Sequence, residues 1–257
     1  MKIIILVGGF GTRISEETND KPKPLVLIDS KPILWHLMKI FLIQGFSDFT
    51  LALGYKSEIV KRWLIDLHLL SGNIKVDVQT GRIERLEDFE IGSKWQVTAL
   101  ETGLNSQTGT RIRMCMERYP DETIIVTYGD GLANINLKEL IKFHNDHGKL
   151  ATVTAVRPPA RFGHIQLNGS LVSHFGEKNQ SDVGWINGGF FVLNSKVLEY
   201  FSNEDEPFET GALPRLVSSG ELMAYQHFGY WQPMDTLRDK HELSKLAISE
   251  LPPWLNI

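Results

Sequence analysis

Gly8, Gly9, Phe10, Gly11, Thr12 and Arg13 follow the first apolar run of the chain, and two lysines spaced by prolines come next in Lys21-Pro22-Lys23-Pro24. These residue types in this order point to phosphate chemistry. Glycine lets backbone N–H groups approach phosphate oxygens closely. Arginine offers a fork of donors and lysine a point charge. The dinucleotide fingerprint G-x-G-x-x-G is met by Gly9 and Gly11 alone, since Ile14 stands at its third position, and "GTR" does not end the loop as Gly-Lys-Ser/Thr ends a Walker loop. The bland alternative is a tight βα turn with solvated charges; the joint occurrence of the glycine cluster, Arg13 and "KPKP" argues for a ligand. The prolines exclude an ordinary helix there and are expected to hold Lys21 and Lys23 on an extended strand entrance.

A second set of candidates lies far along the chain. Asp130 stands between Gly129 and Gly131 at the end of an apolar run, a place suited to holding Mg²⁺ with room left for a ligand; capping of the next element is the plainer role. Asp235 in "WQPMDTLRDK" is the second acid, and its plainer role is to cap a helix starting at Thr236. Two carboxylates from distant parts of a chain suit one Mg²⁺ that keeps waters and binds triphosphate oxygens. Asn187, Gly188 and Gly189 in "INGGFF" sit inside an apolar strand, where glycine marks a bulge or a close ligand, and Glu177 and Lys178 in "GEKN" form a candidate sugar-and-phosphate pair or a pair of surface charges. The histidines show no metal spacing; His144 and His147 are expected on a helix surface. No G-x-S-x-G elbow is present.

The elements that must position these residues follow from pattern. "KIIILV" (2–7) is apolar and β-branched throughout, a strand covered on both faces, and the glycines after it therefore lie at the carboxyl end of a sheet, where ligands bind in open α/β folds. Up to about residue 156 strands at 24–29, 49–55, 73–79, 95–102, 122–131 and 151–156 alternate with helices at 32–46, 56–70, 107–119 and 137–149. That order implies βαβ units and a doubly wound sheet. After Pro158-Pro159 the texture changes: "FGHIQLNGSLVSHFGE" reads as a hairpin with an Asn-Gly turn, and "INGGFFVLN" and "GELMAYQHFGYW" add strands to a β-rich region packed on the first sheet.

The chain has 257 residues, 42% of them apolar, enough for one α/β domain with a sizeable core. A net charge of −4 argues against nucleic acid or an anionic membrane as partner. Cys115 is the single cysteine, so no internal disulfide forms and a reducing cytoplasm fits; its apolar setting predicts a buried, inert thiol. No stretch reaches the ~18 apolar residues of a membrane span.

The stretch "LVGGFGTRISEETNDKPKPLVLIDSKPI" resembles the signature loop of the nucleoside-diphosphate-sugar pyrophosphorylases, and "FGEKN", "INGGFFVLN" and "MDT" match further landmarks of that family in order. Within it, "PKPLVLIDSKPILWHLMK", "LETGLNSQTGTRI" and "GELMAYQHFGYWQPMDTLRDK" are similar to the members that transfer a cytidylyl group. The chain departs from the pattern at Val7, Asn179 and Thr110. The resemblance implies a Rossmann-like, mixed, mostly parallel sheet flanked by helices with a smaller β-rich sugar-binding subregion. It implies one domain over 1–257, with 1–156 mainly nucleotide-binding. The implied reaction joins CTP and α-D-glucose 1-phosphate into CDP-glucose and pyrophosphate, for deoxysugars of surface polysaccharide such as lipopolysaccharide O-antigen. Carried over by position, Leu6, Val7, Gly8, Gly9, Phe10, Gly11, Thr12 and Arg13 hold CTP; Lys23 contacts phosphate at the reacting centre; Thr102, Ser106, Gly109, Arg111 and Gly129 bind nucleotide. Asp130 and Asp235 hold Mg²⁺, and Glu177, Lys178, Asn187 and Gly188 bind the sugar phosphate. A homo-oligomer is implied, a hexamer among the options. The competing expectations are the same reaction with UTP, dTTP, GTP or a heptose phosphate, a non-catalytic homologue, and a nucleotide-binding oxidoreductase.

Overall fold

The structure is a computed structural model that describes residues 1–11, 14–70, 72–86, 95–158, 163–168, 170–177 and 184–257. Strand β1 (Ile3–Leu6) leads through the glycine loop to the single-turn helix α1 (Ser15–Thr18). A 3₁₀ turn at Lys23–Leu25 follows, where an extended segment was expected. Pro24 at its second position has the φ a helical start requires and no N–H to lose, so proline favours the turn here. The short ladder β2 (Leu27–Ile28) and β3 (Lys31–Pro32) then delivers the chain into α2 (Ile33–Leu42).

Next come β4 (Asp48–Leu53), α3 (Ser57–Leu70), a hairpin of β5 (Ile74–Val76) and β6 (Ile83–Arg85), then β7 (Gln96–Glu101), α4 (Thr108–Met116), β8 (Ile124–Tyr128) and β9 (Gly131–Ala133). Helix α5 (Leu137–His147) is capped by the Asn136 side chain and ends at Gly148 in the left-handed conformation (φ +66°). Strand β10 (Ala151–Val156), the hairpin β11 (Gly163–Asn168) and β12 (Leu171–Glu177), and β13 (Ile186–Leu193) follow. Helix α6 (Ala212–Ser218), β14 (Leu222–Gln226), β15 (Trp231–Pro233) and α7 (Leu237–Ala247) complete the fold.

Seven strands form one sheet in the order β14-β10-β13-β8-β1-β4-β7. Only β13 runs against the others, since β1 is parallel to β4 and β8, β4 to β7, and β10 to β14. The mixed, mostly parallel sheet is therefore as expected. The C-terminal third, however, does not pack on that sheet but completes it: β13 inserts between β8 and β10, and the β11–β12 hairpin is a separate two-stranded sheet. The apolar, two-faced pattern of β13 (buried from Gly188 to Leu193) makes the centre of the sheet its natural place. Because β13 is reversed, its first residues lie at the same end of the sheet as the last residues of β1 and β8.

Alternate residues of β1 feed two cores. Ile3, Ile5 and Val7 join α2 residues such as Leu37 and Phe41, together with Trp254, on one face. Ile4 and Leu6 join Ile112, Cys115, Phe191 and Phe208 on the other. Cys115 is fully buried, and burial pushes its thiol up to about 12, so it is inert as expected. The histidines of α5 are not on the helix surface. His144 is buried against β10, its Nδ1 2.9 Å from Thr152 Oγ1, and His147 Nε2 reaches the same hydroxyl at 2.7 Å. The helix turns that face to the sheet because Leu137, Leu140 and His144 share one stripe.

Candidate active site

The glycine loop leaves β1 at the carboxyl end of the sheet. Gly8 O accepts from the Tyr55 N–H (3.1 Å) and Arg111 Nη2 (3.3 Å), and a Cβ on Gly8 would lie 2.9 Å from Gly54 N. Gly11 is left-handed (φ +65°), and its carbonyl accepts from Thr18 Oγ1 at 3.1 Å, tying the loop to α1. Phe10 leans over Tyr55 with ring centroids 5.0 Å apart. Thr12 and Arg13 lie outside the described residues.

Lys23 Nζ is the centre of the site. It donates to Asp130 Oδ2 at 2.6 Å and to Asp235 Oδ1 at 2.9 Å, with only 11% of its side chain exposed. Burial works to lower its pKa, but the two carboxylates outweigh that and hold it above the ordinary lysine value. The sequence brings these three together through two short devices. The 3₁₀ turn aims Lys23 inward. The β9–β15 ladder pairs Gly131 with Pro233, and Met234 N–H donates to Asp130 O at 2.8 Å, so the residues flanking that ladder lie side by side. Asp235 is not the cap of α7. Thr236 caps it, in a capping box with Asp239, whose Oδ2 accepts from the backbone N–H of Asp235 and Thr236 at 3.0 and 2.9 Å.

Among the described residues no group of three or more His, Cys, Asp or Glu gathers to bind a metal. Two carboxylates converging on one point beside a single lysine leave a net charge of −1. That donor set fits a hard divalent cation that completes its shell with water and phosphate oxygens.

Arg111 is 4% exposed, and its guanidinium donates to Leu53 O (2.8 Å), Thr102 Oγ1 (2.7 Å), Leu104 O (3.2 Å) and Gly8 O. It thus joins the ends of β1, β4 and β7 from the start of α4. Desolvation lowers its pKa, with Asp205 opposing. Arg111 and Ser106 reach the cleft; Thr102 and Gly109 do not. Thr102 is buried behind Arg111, donating to Leu53 O at 2.6 Å. Gly109 packs on the backbone of 206–208, where a Cβ would meet Glu206 O at 2.6 Å.

On the opposite wall, β13 bulges against β10: the register shifts between Val153 and Ala155, and Gly189 is left-handed (φ +79°). A Cβ on Gly188 would lie 2.6 Å from Val156 Cγ1 and 2.9 Å from Thr154 O. The bulge and the cleft are one feature, because Asn187 and Gly188 line the cleft and Trp231 Nε1 donates to Gly188 O at 2.8 Å. Lys178 lies outside the described residues, and Glu177 is described only as the backbone partner of Gly163 at the end of the hairpin.

The resulting cleft encloses about 750 Å³ and runs from Gly8–Gly11 past Lys23, Gly129 and Asp130 to Asn187. That volume falls within the range of small-molecule sites, about 300–1,000 Å³. Its wall includes residues the sequence reading missed: Asn105, Gln107, Thr108, Tyr128 and Trp231. Tyr128 ends a strand just before Gly129, a signal that would extend to it, and Asn105, Gln107 and Thr108 neighbour Ser106 or Gly109; Trp231 meets the cleft through a distant contact with Gly188 that no local pattern marks.

A phosphate-type glycine loop, a lysine held by two carboxylates and a second wall from a reversed strand define a nucleotidyl transferase, and the chain belongs to that family: the Nucleotidyl transferase family profile matches residues 2–248. The chain is 44% identical to the glucose-1-phosphate cytidylyltransferase of Salmonella typhimurium, over 99% of this chain and 98% of that protein. It is 44% identical to the probable glucose-1-phosphate cytidylyltransferase of Bacillus subtilis, over 96% of each. Among solved structures, HddC from Yersinia pseudotuberculosis complexed with GMP-PN superposes with a TM-score of 0.69 at 24% identity, over 95% of this chain and 98% of that one, and shares the fold.

Proposed function

We propose that the protein transfers the cytidylyl group of CTP to α-D-glucose 1-phosphate, forming CDP-glucose and releasing pyrophosphate, with Mg²⁺ as cofactor. The observation that carries this reading is the convergence of Asp130 and Asp235 on Lys23 Nζ at the mouth of the glycine loop. The choice of base and sugar is supported by 44% identity to cytidylyltransferases along almost the whole chain.

The reaction is a single in-line displacement. A phosphate oxygen of the sugar 1-phosphate attacks the α-phosphorus of CTP; the α–β bridging bond breaks, and pyrophosphate leaves with its electron pair. A phosphate dianion is already nucleophilic, so no general base is needed, and the protein acts by positioning and charge neutralisation. Backbone N–H groups of Gly8–Gly11 cradle the triphosphate. Lys23 lies between the two carboxylates, where it can also meet the attacking and α-phosphates. Asp130 and Asp235 would hold Mg²⁺, which when bound offsets charge on the phosphate oxygens. Arg13 is assigned to the leaving pyrophosphate on the sequence pattern alone. Tyr128, Asn187 and Gly188 form the sugar side. The wider reading is a homo-oligomer of the cytoplasm serving surface-polysaccharide synthesis, with no nucleic-acid partner. No helix among the described residues is long and apolar enough to cross a membrane.

Pyrophosphate release with Mg²⁺ across CTP, UTP, dTTP, ATP and GTP against glucose 1-phosphate tests the proposal. Release with CTP supports it. Release with another nucleotide alone overturns the base, and silence with all five overturns the sugar.

A further inference from the structure

Where β8, β13 and the start of α4 meet, one chain of hydrogen bonds has its directions forced. Gly189 N–H donates to Asn187 Oδ1 at 2.8 Å, which fixes the amide with its nitrogen turned to Tyr128 Oη, 3.4 Å away. Tyr128 has one proton and donates it to Glu209 Oε1. Glu209 Oε2 accepts from Thr108 Oγ1 at 2.7 Å, and that hydroxyl accepts from Phe208 N–H at 2.9 Å. A carboxylate only accepts, so Glu209 is the group that sets the direction of the rest.

We propose that Glu209 is a positioning residue that fixes the hydrogen-bond polarity of the sugar side of the cleft. With the Tyr128 proton committed to Glu209, the phenol oxygen faces the cleft only as an acceptor. Asn187 keeps its second N–H as a donor. An acceptor beside a donor matches one sugar hydroxyl, which donates to Tyr128 Oη and accepts from Asn187 Nδ2. The pair therefore reads the presence of a hydroxyl at one ring position and disfavours the corresponding deoxy sugar. Tyr128, Asn187 and Thr108 all line the cleft. Through Thr108 the same carboxylate ties this reader to the 105–108 segment on the opposite side. The segment carrying Glu209 is itself fastened there, with Gln107 N–H on Asp205 Oδ1 at 2.8 Å and Glu206 N–H on Thr110 Oγ1 at 3.3 Å. The proposal rests on reading the cleft as a sugar 1-phosphate site.

The test uses the full chain, its Glu209→Gln and Tyr128→Phe variants, and glucose 1-phosphate with its single-deoxy analogues. An amide at position 209 donates as well as accepts, so the direction is no longer imposed. Glu209→Gln is expected to raise KM for glucose 1-phosphate about tenfold, the worth of roughly one hydrogen bond, with KM for CTP and Tm unchanged. The penalty that wild type imposes on one deoxy analogue is expected to collapse in both variants. A wild-type KM and an unchanged rejection pattern in Glu209→Gln would overturn the proposal. So would a joint fall in Tm and in all affinities with the pattern retained. Calorimetric binding of the same sugar phosphates is read in parallel. Wild type that binds them but turns nothing over would condemn the reaction, while the comparison of variants still judges Glu209. Wild type that neither binds nor turns over any of them overturns both.

Discussion

The guanidinium of Arg111 occupies the space that a side chain on Gly8 would fill: a Cβ there would lie 2.5 Å from Nη1. The glycine of the phosphate loop and the arginine of α4 are thus one steric unit. The donors of that arginine are spread over four carbonyl or hydroxyl oxygens that no lysine could serve together.

Arg111→Lys is expected to cost about 2 kcal/mol of stability, because some of those buried acceptors lose their partner. Gly8→Ala should lower CTP affinity at least about tenfold through the displaced guanidinium. The double variant should fall short of the sum of the two, with a coupling of about 1 kcal/mol, since the shorter ammonium vacates part of the contested space. Thermal melts and CTP titrations of the cycle check this; strict additivity would sink the idea of a shared unit.

On the proposed reaction, Lys23 would compete with Mg²⁺ for the same carboxylates. Lys23→Met is therefore expected to tighten Mg²⁺ binding while lowering kcat by about 100-fold or more, since a charge aimed at the reacting phosphates is lost. Asp130→Asn should lower both Mg²⁺ affinity and kcat with the far-ultraviolet dichroism unchanged. Chelation should silence the wild type until Mg²⁺ is restored. Calorimetric Mg²⁺ titration with steady-state rates tests all three, and weaker Mg²⁺ binding in Lys23→Met would contradict the competition.

The His144–Thr152–His147 chain predicts an acid-sensitive fold. His147 Nδ1 accepts from Lys149 N–H at 2.8 Å, so its proton is on Nε2 and goes to Thr152, whose own proton goes to His144 Nδ1. Burial, and after it the neighbouring His147, depress His144 to about 4. Burial also lowers His147, with Lys149 adding to this and Asp146 and Glu221 opposing. A histidine depressed in the folded state favours the neutral form. Its stability is fully present above the unfolded value near 6.5 and is lost as pH falls from there towards about 4. The loss for His144 is about 3 kcal/mol. His144→Gln, which keeps an acceptor but no titration, should flatten the denaturant midpoint between pH 6.5 and 4. An unchanged slope would show that other groups carry the acid response.

The parts of this molecule governed by local pattern were legible in the sequence. β1, α3, α5 and β10 follow apolar periodicity and caps, and the glycine loop, Lys23, Asp130 and Asn187 could be singled out by residue type and position at strand ends. What escaped was decided by distant pairing. The place of β13 inside the main sheet depends on its neighbours β8 and β10, which no local pattern names. The burial of His144 depends on Thr152 of another element. Thr102 and Gly109 stand in the right stretch of chain, yet they face Arg111 and the 206–208 backbone, not the cleft. Tyr128 and Thr108 went unnoticed because a tyrosine or threonine at a strand or helix end carries no signal until Glu209 is seen beside it.

Asp239 does not itself line the cleft, yet it should matter to the reaction. It is buried and accepts from Gln232 Nε2 at 3.1 Å, from Thr236 Oγ1 at 2.9 Å and from the backbone N–H of Asp235 and Thr236. The carboxylate thereby closes the capping box of α7 and sets the backbone that presents Asp235 to Lys23. Asp239→Ala is expected to cost about 2 kcal/mol of stability, the sum of a lost cap and buried donors left without an acceptor. It should also weaken Mg²⁺ binding, because Asp235 is no longer held opposite Asp130. Asp239→Asn keeps an acceptor oxygen for those backbone donors and should recover most of the Mg²⁺ affinity with only part of the stability. A purely structural role would move Tm in both variants and leave Mg²⁺ affinity, measured well below the melting point, at the wild-type value.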